Sequence, residues 1–285
     1  MTEPRDIDAL LDEVVTLPSL PSTVAHITEL VNDPDCSLTA VGRAISVDPA
    51  IALKTLRLVN SAYYGLRNKV SSVEQAVVLL GLKVIKNLVF TATVFDTLKS
   101  GVDAFLRHSV SCGMAMRVLA ENGNAPGLDE DASEEGFAVG LLHDVGKIIF
   151  EQFVPEDFEK VRERAVRSHV PWHEAEQEII GVDHAAMGAR LAANWKLPGN
   201  IVAAIAGHHD LAKCADPELK GLAAALSAAD YICTAAGAGS HDGAAPVVAP
   251  DVWPMSRIVS ENVPSLLDKY FRTQSAVEEL IQIAT

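Results

Sequence analysis

The sequence is poor in paired cysteines and in aromatic residues, and each scarcity argues against a class of protein. Its four cysteines form no CxxC pair, which argues against a zinc ribbon or a disulfide scaffold and favours reduced thiols. Aromatic residues make up 5% of the 285 residues although 49% are hydrophobic, so Ala, Leu and Val dominate the apolar fraction. This composition favours helices that pack closely through small side chains.

Basic residues are also scarce relative to acidic ones. The chain has 23 Lys and Arg against 38 Asp and Glu, a formal net charge of −15. Such a surface repels nucleic-acid phosphates and anionic lipids, so we expect neither a nucleic acid nor a membrane as partner. No apolar run approaches the roughly 18 residues of a membrane helix, and the N-terminus has no basic-then-apolar signal. These absences predict a cytoplasmic protein.

Apolar residues recur at helical spacing along both halves of the chain. In the first half, Asp48-Pro49 is typical of a helix cap followed by a first-turn proline, and Gly81 suggests a break in the next helix. In the second half we predict helices at about 103–122, 134–152, 155–168, 172–179, 183–195, 198–208 and 218–236, and again from 254. The prediction is an all-α multi-helix bundle. An N-terminal lobe, 1–100, packs on a second lobe, 101–285, because no Gly/Ser/Pro-rich linker separates them.

The segment Gly140-Leu-Leu-His-Asp-Val-Gly-Lys147 places His143 and Asp144 side by side in an apolar stretch. Burying an imidazole and a carboxylate is costly unless both are paired or bind a metal. Imidazole nitrogen and carboxylate oxygen together suit a divalent transition metal such as Fe, Mn, Ni or Zn. The pair therefore predicts a metal site.

Further side chains of the ligand type lie on the faces or ends of other predicted helices. Helix bundles build metal sites from side chains that project inward from facing helices. Two metals about 3.5–4 Å apart can clamp a phosphate and generate a hydroxide for in-line attack. We therefore predict one or two metal ions held by His108, His143, Asp144, His184, His208, His209 and Asp230.

Each of these residues also has an ordinary structural interpretation. His108 alone suits a core histidine with satisfied hydrogen bonds, and Asp230 suits a cap of a neighbouring helix. His208-His209 suits a helix C-terminus, where a cationic imidazole is favoured. Three other histidines have polar neighbours and are predicted to be solvated: His169, His173 and His241. The coincidence of these seven ligand-type residues at helix faces or ends favours the metal site.

These predicted ligands resemble the conserved motif of a known superfamily, the HD-domain metal-dependent phosphohydrolases. The order His108, His143-Asp144, Asp230 matches its H…HD…D pattern. His184 and His208-His209 match the additional ligands of the HD-GYP cyclic-di-GMP phosphodiesterases.

The whole chain is more similar still to the HDOD (HD-related output domain) family, over roughly residues 14–235. The segments that carry this resemblance are Leu17-Pro-Ser-Leu-Pro21, Asp48-Pro49, Leu58-Val-Asn-Ser-Ala-Tyr-Tyr-Gly65, Gln75-Ala-Val-Val-Leu-Leu-Gly-Leu82, His184-Ala-Ala-Met-Gly-Ala, Trp195-Lys-Leu-Pro198 and Gly207-His-His209. The resemblance implies an all-α fold and a bacterial signalling role, in which many members act as output or interaction domains without catalysis.

This sequence departs from the active phosphodiesterases at two places. After His209 it continues with Asp210-Leu-Ala-Lys-Cys and has no Gly-Tyr-Pro segment to shape a cyclic-dinucleotide pocket. Position 104 is Ala, where members with three metals would have a carboxylate. We therefore expect retained metal binding without cyclic-di-GMP cleavage.

Two functional hypotheses follow. The first is a binding module, in which the helices present a surface to signalling proteins, or bind a nucleotide or cyclic dinucleotide, and the metal is structural or regulatory. The alternative is a metal-dependent phosphohydrolase, in which Asp144 bridges two metals and Lys147 steadies a phosphate as a point charge. Lys147 could equally be a solvent-facing lysine. The sequence leaves homo-oligomerisation open.

A third and weaker hypothesis is a nucleic-acid binder. It would need a local basic face on the N-terminal half, for which the candidates are Arg57, Arg67, Lys69, Lys83 and Lys86.

Overall fold

The structure, a computed structural model, describes residues 26–27, 29–30, 33, 36–98, 103–128, 133–195, 197–214, 216, 219–239 and 247–284. Every regular element within these ranges is helical and none is a strand, which confirms the all-α prediction. The α-helices are α1 Leu38–Ser46, α2 Pro49–Val59, α3 Val73–Leu98, α4 Asp103–Glu121, α5 Ser133–Leu142, α6 Val145–Phe153, α7 Pro155–Ser168, α8 Trp172–Ile179, α9 His184–Asn194, α10 Gly199–Gly207, α11 Lys220–Ala235, α12 Val252–Met255, α13 Val263–Arg272 and α14 Gln274–Ala284.

None of the helices in these ranges combines the length and the apolar character that crossing a bilayer requires. The motif Leu17-Pro-Ser-Leu-Pro21 and His241 lie outside the described residues.

Contacts divide the described residues into two compact units. One runs from Asp103 to Asp268, and the other combines the residues before it with those from Lys269 onward. The predicted lobe boundary at residue 100 stays a prediction. At the C-terminus the observed grouping differs from the predicted lobes, because the residues from Lys269 onward group with the N-terminal residues and not with 103–268. The difference arises because α14 packs on α2 and α3. The Ala62 amide donates to Glu279 Oε2 over 2.5 Å, and Val277 and Leu280 of α14 are buried.

Helix α2 begins, and helix α3 breaks, at the residues that the sequence indicates. Asp48 Oδ1 accepts a hydrogen bond from the Ile51 amide over 3.2 Å, and Pro49 occupies the first helical position of α2. Both observations confirm the predicted cap and first-turn proline. Gly81 interrupts α3 with φ 80° and ψ 167°, which confirms the predicted break.

In the second unit, glycines let α4 and α5 approach closely. A Cβ built on Gly140 would lie 2.5 Å from the Cys112 carbonyl oxygen, and one on Gly136 would lie 3.1 Å from the Met116 carbonyl oxygen. The absence of side chains at these two positions allows the backbones to pack together. This packing sets the helix that carries His108 against the segment that leads to His143.

The structure corrects one predicted helix. The segment 134–152 is two helices rather than one, because α5 ends at Leu142 and α6 begins at Val145. His143 and Asp144 form the turn between them. The turn brings the backbone of Gly146 against the start of α9, so closely that a Cβ at Gly146 would overlap the carbonyl group of His184. Tertiary packing, which helical periodicity does not reveal, accounts for this break.

Candidate metal centre

All seven side chains that the sequence predicts as metal ligands lie in the unit of residues 103–268. They are His108 on α4, His143 and Asp144 in the α5–α6 turn, His184 at the start of α9, His208 and His209 directly after α10, and Asp230 on α11. All are buried except His209, which is half-buried. Burying this many ionisable groups requires charge pairing or a bound cation.

His108, His143 and Asp144 form what we call the first ligand group, whose ligand atoms lie within 4.8 Å of one another. His108 Nε2 is 3.2 Å from His143 Nε2 and 3.4 Å from Asp144 Oδ2. Asp230 lies beside this group, with its Oδ1 at 3.3 Å from His108 Nε2 and 3.9 Å from His143 Nε2.

Asp144, His184, His208 and His209 form the second ligand group, within the same distance of one another. His184 Nε2 is 3.1 Å from Asp144 Oδ1 and 2.9 Å from His209 Nε2. His208 Nε2 is 4.0 Å from Asp144 Oδ1. Asp144 therefore belongs to both groups and joins them.

Backbone carbonyl groups fix the orientation of three of these imidazole rings. His143 and His208 each donate from Nδ1 to the carbonyl oxygen three residues earlier over 2.7 Å, and His108 donates from Nδ1 to the Ala238 carbonyl oxygen over 2.8 Å. Because a carbonyl oxygen only accepts, Nδ1 of each of these rings carries a proton. Each Nε2 is then directed into the cluster, the arrangement that orients metal-binding histidines.

Two buried atoms at the centre make no well-aligned hydrogen bond among the described residues: His208 Nε2, and Asp144 Oδ1, which has only ion-pair contacts with imidazole rings. Such atoms are rare in proteins, and a site for a bound ion is one physical reason for them. A lone pair and a carboxylate oxygen are both satisfied by a cation. The donor set of imidazole nitrogens and carboxylate oxygens therefore fits a divalent transition metal.

The charges around Asp144 indicate that the cluster attracts positive charge. Burial lowers the pKa of His184, but the negative charges of Glu176 and Asp144 outweigh this and raise it to about 9. Burial lowers the pKa of His143 and of His208 to about 3, so both rings are neutral at pH 7. Neutral rings are ready to bind a metal, whereas His184 would have to release a proton.

Lys147 is buried and contacts the shared carboxylate. Its Nζ donates to Asp144 Oδ2 over 2.6 Å and lies 5.9 Å from the centroid of the Trp172 ring. Burial lowers the pKa of Lys147, but Asp144 outweighs it and raises the pKa above its ordinary value. The solvent-facing interpretation of Lys147 is therefore wrong.

Glu176 on α8 is a site residue that the sequence analysis missed. One of its oxygens, Oε2, accepts hydrogen bonds from the Nδ1 and the backbone amide of His184, over 2.6 Å and 2.7 Å. The carboxylate is fully buried. Glu174 and Glu178 on the same helix are exposed, so the sequence contains no signal that singles out the middle acid.

His173, also on α8, was predicted to be a solvated surface residue, and this was wrong. It is half-buried, and its ring stacks on His209 with the centroids 4.4 Å apart and the planes 15° apart. His169 is exposed, as predicted.

Two cysteines lie behind the first ligand group. Cys233 Sγ is 3.6 Å from His108 Nδ1, and Cys112 lies one helical turn after His108 on α4. The two thiols lie 121 positions apart and no CxxC motif marks them, so the sequence contains no signal for this pair.

Two solved structures share this architecture. A protein named as a candidate phosphohydrolase from Shewanella amazonensis SB2B matches with a TM-score of 0.76 at 24% identity, over 97% of this chain and 98% of that chain. An HDOD domain protein with unknown function from Geobacter sulfurreducens matches with a TM-score of 0.73 at 24% identity, over 98% of each chain. At this level of identity the two matches show the fold alone.

Sequence comparisons identify the family. An uncharacterized protein of Treponema pallidum (strain Nichols) is 29% identical over 224 residues, which are 74% of this chain and 43% of that protein. The chain thus spans less than half the length of this relative. Residues 17–211, more than half of the chain, match the family model of the HDOD domain. As the resemblance of its motifs predicted, the chain belongs to the HDOD family.

Proposed function

We propose that this protein is a signalling output protein of HDOD type, which binds one or two divalent transition metal ions at the candidate metal centre. It acts mainly through binding to other signalling proteins or to a ligand. A cytoplasmic location belongs to the same proposal. The observation that carries it is the convergence of buried imidazole nitrogens on one shared carboxylate, Asp144.

The chain's own residues support metal binding in three ways. Backbone carbonyl groups hold the rings of His108, His143 and His208. The Glu176 carboxylate holds His184. The low pKa of His143 and His208 keeps both rings neutral. Together these features supply a preformed set of oriented ligands, of which His143 and His208 are already neutral, and this reduces the cost of ordering the site around an ion.

Elemental analysis of protein purified without chelators tests this proposal. Wild type should contain one or two Fe, Mn, Ni or Zn ions per chain, and His143→Ala should lose them. His169→Ala is the matched control because His169 is exposed at the C-terminal end of α7. A metal-free wild type, even after reconstitution with each of the four ions, would reject the proposal.

A second candidate function, a metal-dependent phosphohydrolase, is favoured by one specific observation. Asp144 contacts His184 of the second group through Oδ1 and His108 of the first group through Oδ2, and Lys147 donates to Oδ2. Two metals bound there would supply Lewis acidity and a nucleophile for attack on phosphorus. The ammonium group of Lys147 would bind a phosphate oxygen as a point charge. The name of the Shewanella amazonensis protein is consistent with this chemistry.

Hydrolysis of bis(p-nitrophenyl) phosphate and of p-nitrophenyl phosphate by the metal-loaded protein distinguishes the two functions. In an enzyme, Lys147→Gln should lower the rate while keeping the metal content, and His143→Ala should abolish both. If the metal-loaded wild type hydrolyses neither ester nor any nucleotide in a screen, the binding function stands and the enzyme is excluded for those substrates. We expect no cleavage of cyclic di-GMP.

A further inference from the structure

Two of the four cysteines lie together one helical turn away from two of the proposed metal ligands. Cys112 follows His108 by four residues on α4, and Cys233 follows Asp230 by three residues on α11. Both thiols are fully buried, and they lie on neighbouring helices, because α4 packs on α11. The thiols of the other two cysteines, Cys36 and Cys214, donate to backbone carbonyl oxygens close to them in the sequence.

The Cys233 thiol contacts residues on both helices. Its Sγ is 3.6 Å from His108 Nδ1, the nitrogen that also bonds the Ala238 carbonyl oxygen. The same thiol donates to the Asp230 carbonyl oxygen over 3.2 Å. A chemical change at this sulfur therefore acts directly on the ring of His108 and on the helical turn that carries Asp230.

The backbone around Cys112 has little room to adjust. Its carbonyl oxygen faces Gly140 at a distance that leaves no space for a Cβ, and a Cβ on Gly113 would lie 2.9 Å from the Phe137 ring. A disulfide requires an S–S distance of about 2.05 Å and a narrow range of dihedral angles. Because close-packed interiors transmit strain rather than absorb it, α11 and its ligand would move when the two sulfurs bond.

We propose that Cys112 and Cys233 form a disulfide when the protein meets a small two-electron oxidant such as hydrogen peroxide, and that this disulfide weakens metal binding by His108 and Asp230. The disulfide itself is independent of the proposed function, whereas its effect on metal binding rests on that function. The cysteine pair is then a reversible modification site through which an oxidant lowers the metal affinity of the centre.

The chemistry balances with peroxide as the only co-reactant. One sulfur, here that of Cys233, attacks a peroxide oxygen, the O–O bond breaks, and the departing hydroxide takes the thiol proton to form water. The sulfur of Cys112 then attacks the resulting sulfenic sulfur, the S–O bond breaks, and the hydroxyl group leaves with the Cys112 proton as a second water. Two thiols are oxidised and one peroxide is reduced, and an added dithiol reverses the step by exchange.

Peptide mapping by mass spectrometry after peroxide treatment of the full chain tests the disulfide. Wild type should lose two of its four free thiols and yield a cross-linked peptide pair that contains Cys112 and Cys233. Cys112→Ser should form no such pair, while the matched control Cys36→Ser should behave like wild type. Mapping of wild type needs no variant to fold. If its Cys112 and Cys233 stay free while Cys36 is oxidised, the proposal is overturned.

Zinc titration of the reduced and the oxidised protein tests the consequence. Affinity should fall by about tenfold or more on oxidation, the scale of losing an outer-shell partner, and dithiothreitol should restore it. In Cys112→Ser, peroxide should leave the affinity unchanged. A cross-linked protein whose affinity stays within twofold of the reduced form would overturn the regulatory effect. If neither form binds zinc, iron, manganese or nickel, the proposed metal centre fails, and the mapping result still decides the disulfide.

Discussion

The two ligand groups share Asp144 but are held in position by different parts of the chain. In the first group, backbone carbonyl groups fix both His108 and His143. In the second, α8 supplies two of the supports, because Glu176 holds His184 and His173 stacks on His209. Helix α8 contributes none of the predicted ligands, yet the second group depends on it. We therefore expect the first group to bind its metal more tightly and the second to be the more adjustable.

The largest expected effect is a loss of folding stability when Gly146 gains a side chain. Gly146→Ala places a methyl group against the His184 carbonyl. Relieving this overlap pushes α6 away from α9 and should lower the free energy of unfolding by about 3 kcal/mol or more. Urea unfolding followed by circular dichroism measures the change. The matched control is Gly199→Ala, where a new Cβ meets nothing within 4 Å, so its effect should stay within about 1 kcal/mol. Equal midpoints for the two variants would contradict the close approach.

Removing the charge of Glu176 should weaken the second group selectively. Glu176→Gln keeps the shape of the side chain but removes the negative charge that faces His184, and losing such an outer-shell partner costs about 10–100-fold in metal affinity. Zinc titration should then show loss of the weaker of two sites, with the tighter one retained. Glu178→Gln is the control, because Glu178 is exposed and contacts Arg164 instead. Equal weakening of both sites would contradict the assignment of Glu176 to the second group.

Much of this arrangement was predictable because its signals are local. Helical periodicity indicated the helices, and the types of residue at their faces and ends selected seven side chains that the fold brings together. Their role as ligands stays a prediction until metal binding is measured. The turn at His143-Asp144 was not predictable, since the contact between Gly146 and His184 that accompanies it joins residues 38 positions apart in the sequence.

The residues that position the ligands of the second group were not predictable from the sequence for a related reason. Glu174, Glu176 and Glu178 alternate along one short helix, and only the packing of α8 decides that the middle acid is buried. His173 has polar neighbours that suggest a solvated position, but α8 sets it against His209. No sequence spacing identifies a residue that positions a metal ligand, because the two partners can come from any parts of the fold.

The metal-free and metal-loaded proteins should respond differently to pH. The folded-state pKa of His184 is raised to about 9 from an ordinary value of 6.5, so in metal-free protein its proton stabilises the folded state fully below pH 6.5. That contribution is lost as pH rises through about 9. Urea unfolding of chelator-treated protein should therefore show stability falling between these pH values. Glu176→Gln should flatten the fall, and so should bound metal, which replaces the proton. A metal-free profile that rises over this range would contradict the raised pKa.

The smallest expected effect tests whether stacking alone positions His209. Among the described residues, His209 Nε2 lies 2.9 Å from His184 Nε2, the ring of His208 is tilted against the His209 ring, and the ring of His173 stacks parallel to it. His173→Ala should weaken zinc binding at the second group about threefold, in line with an aromatic contact of about 0.5–1.5 kcal/mol. His173→Phe keeps a flat ring without a titratable nitrogen and should restore the affinity. If phenylalanine fails to restore it while the fold is intact, His173 acts through its nitrogens and is a fifth member of the second group.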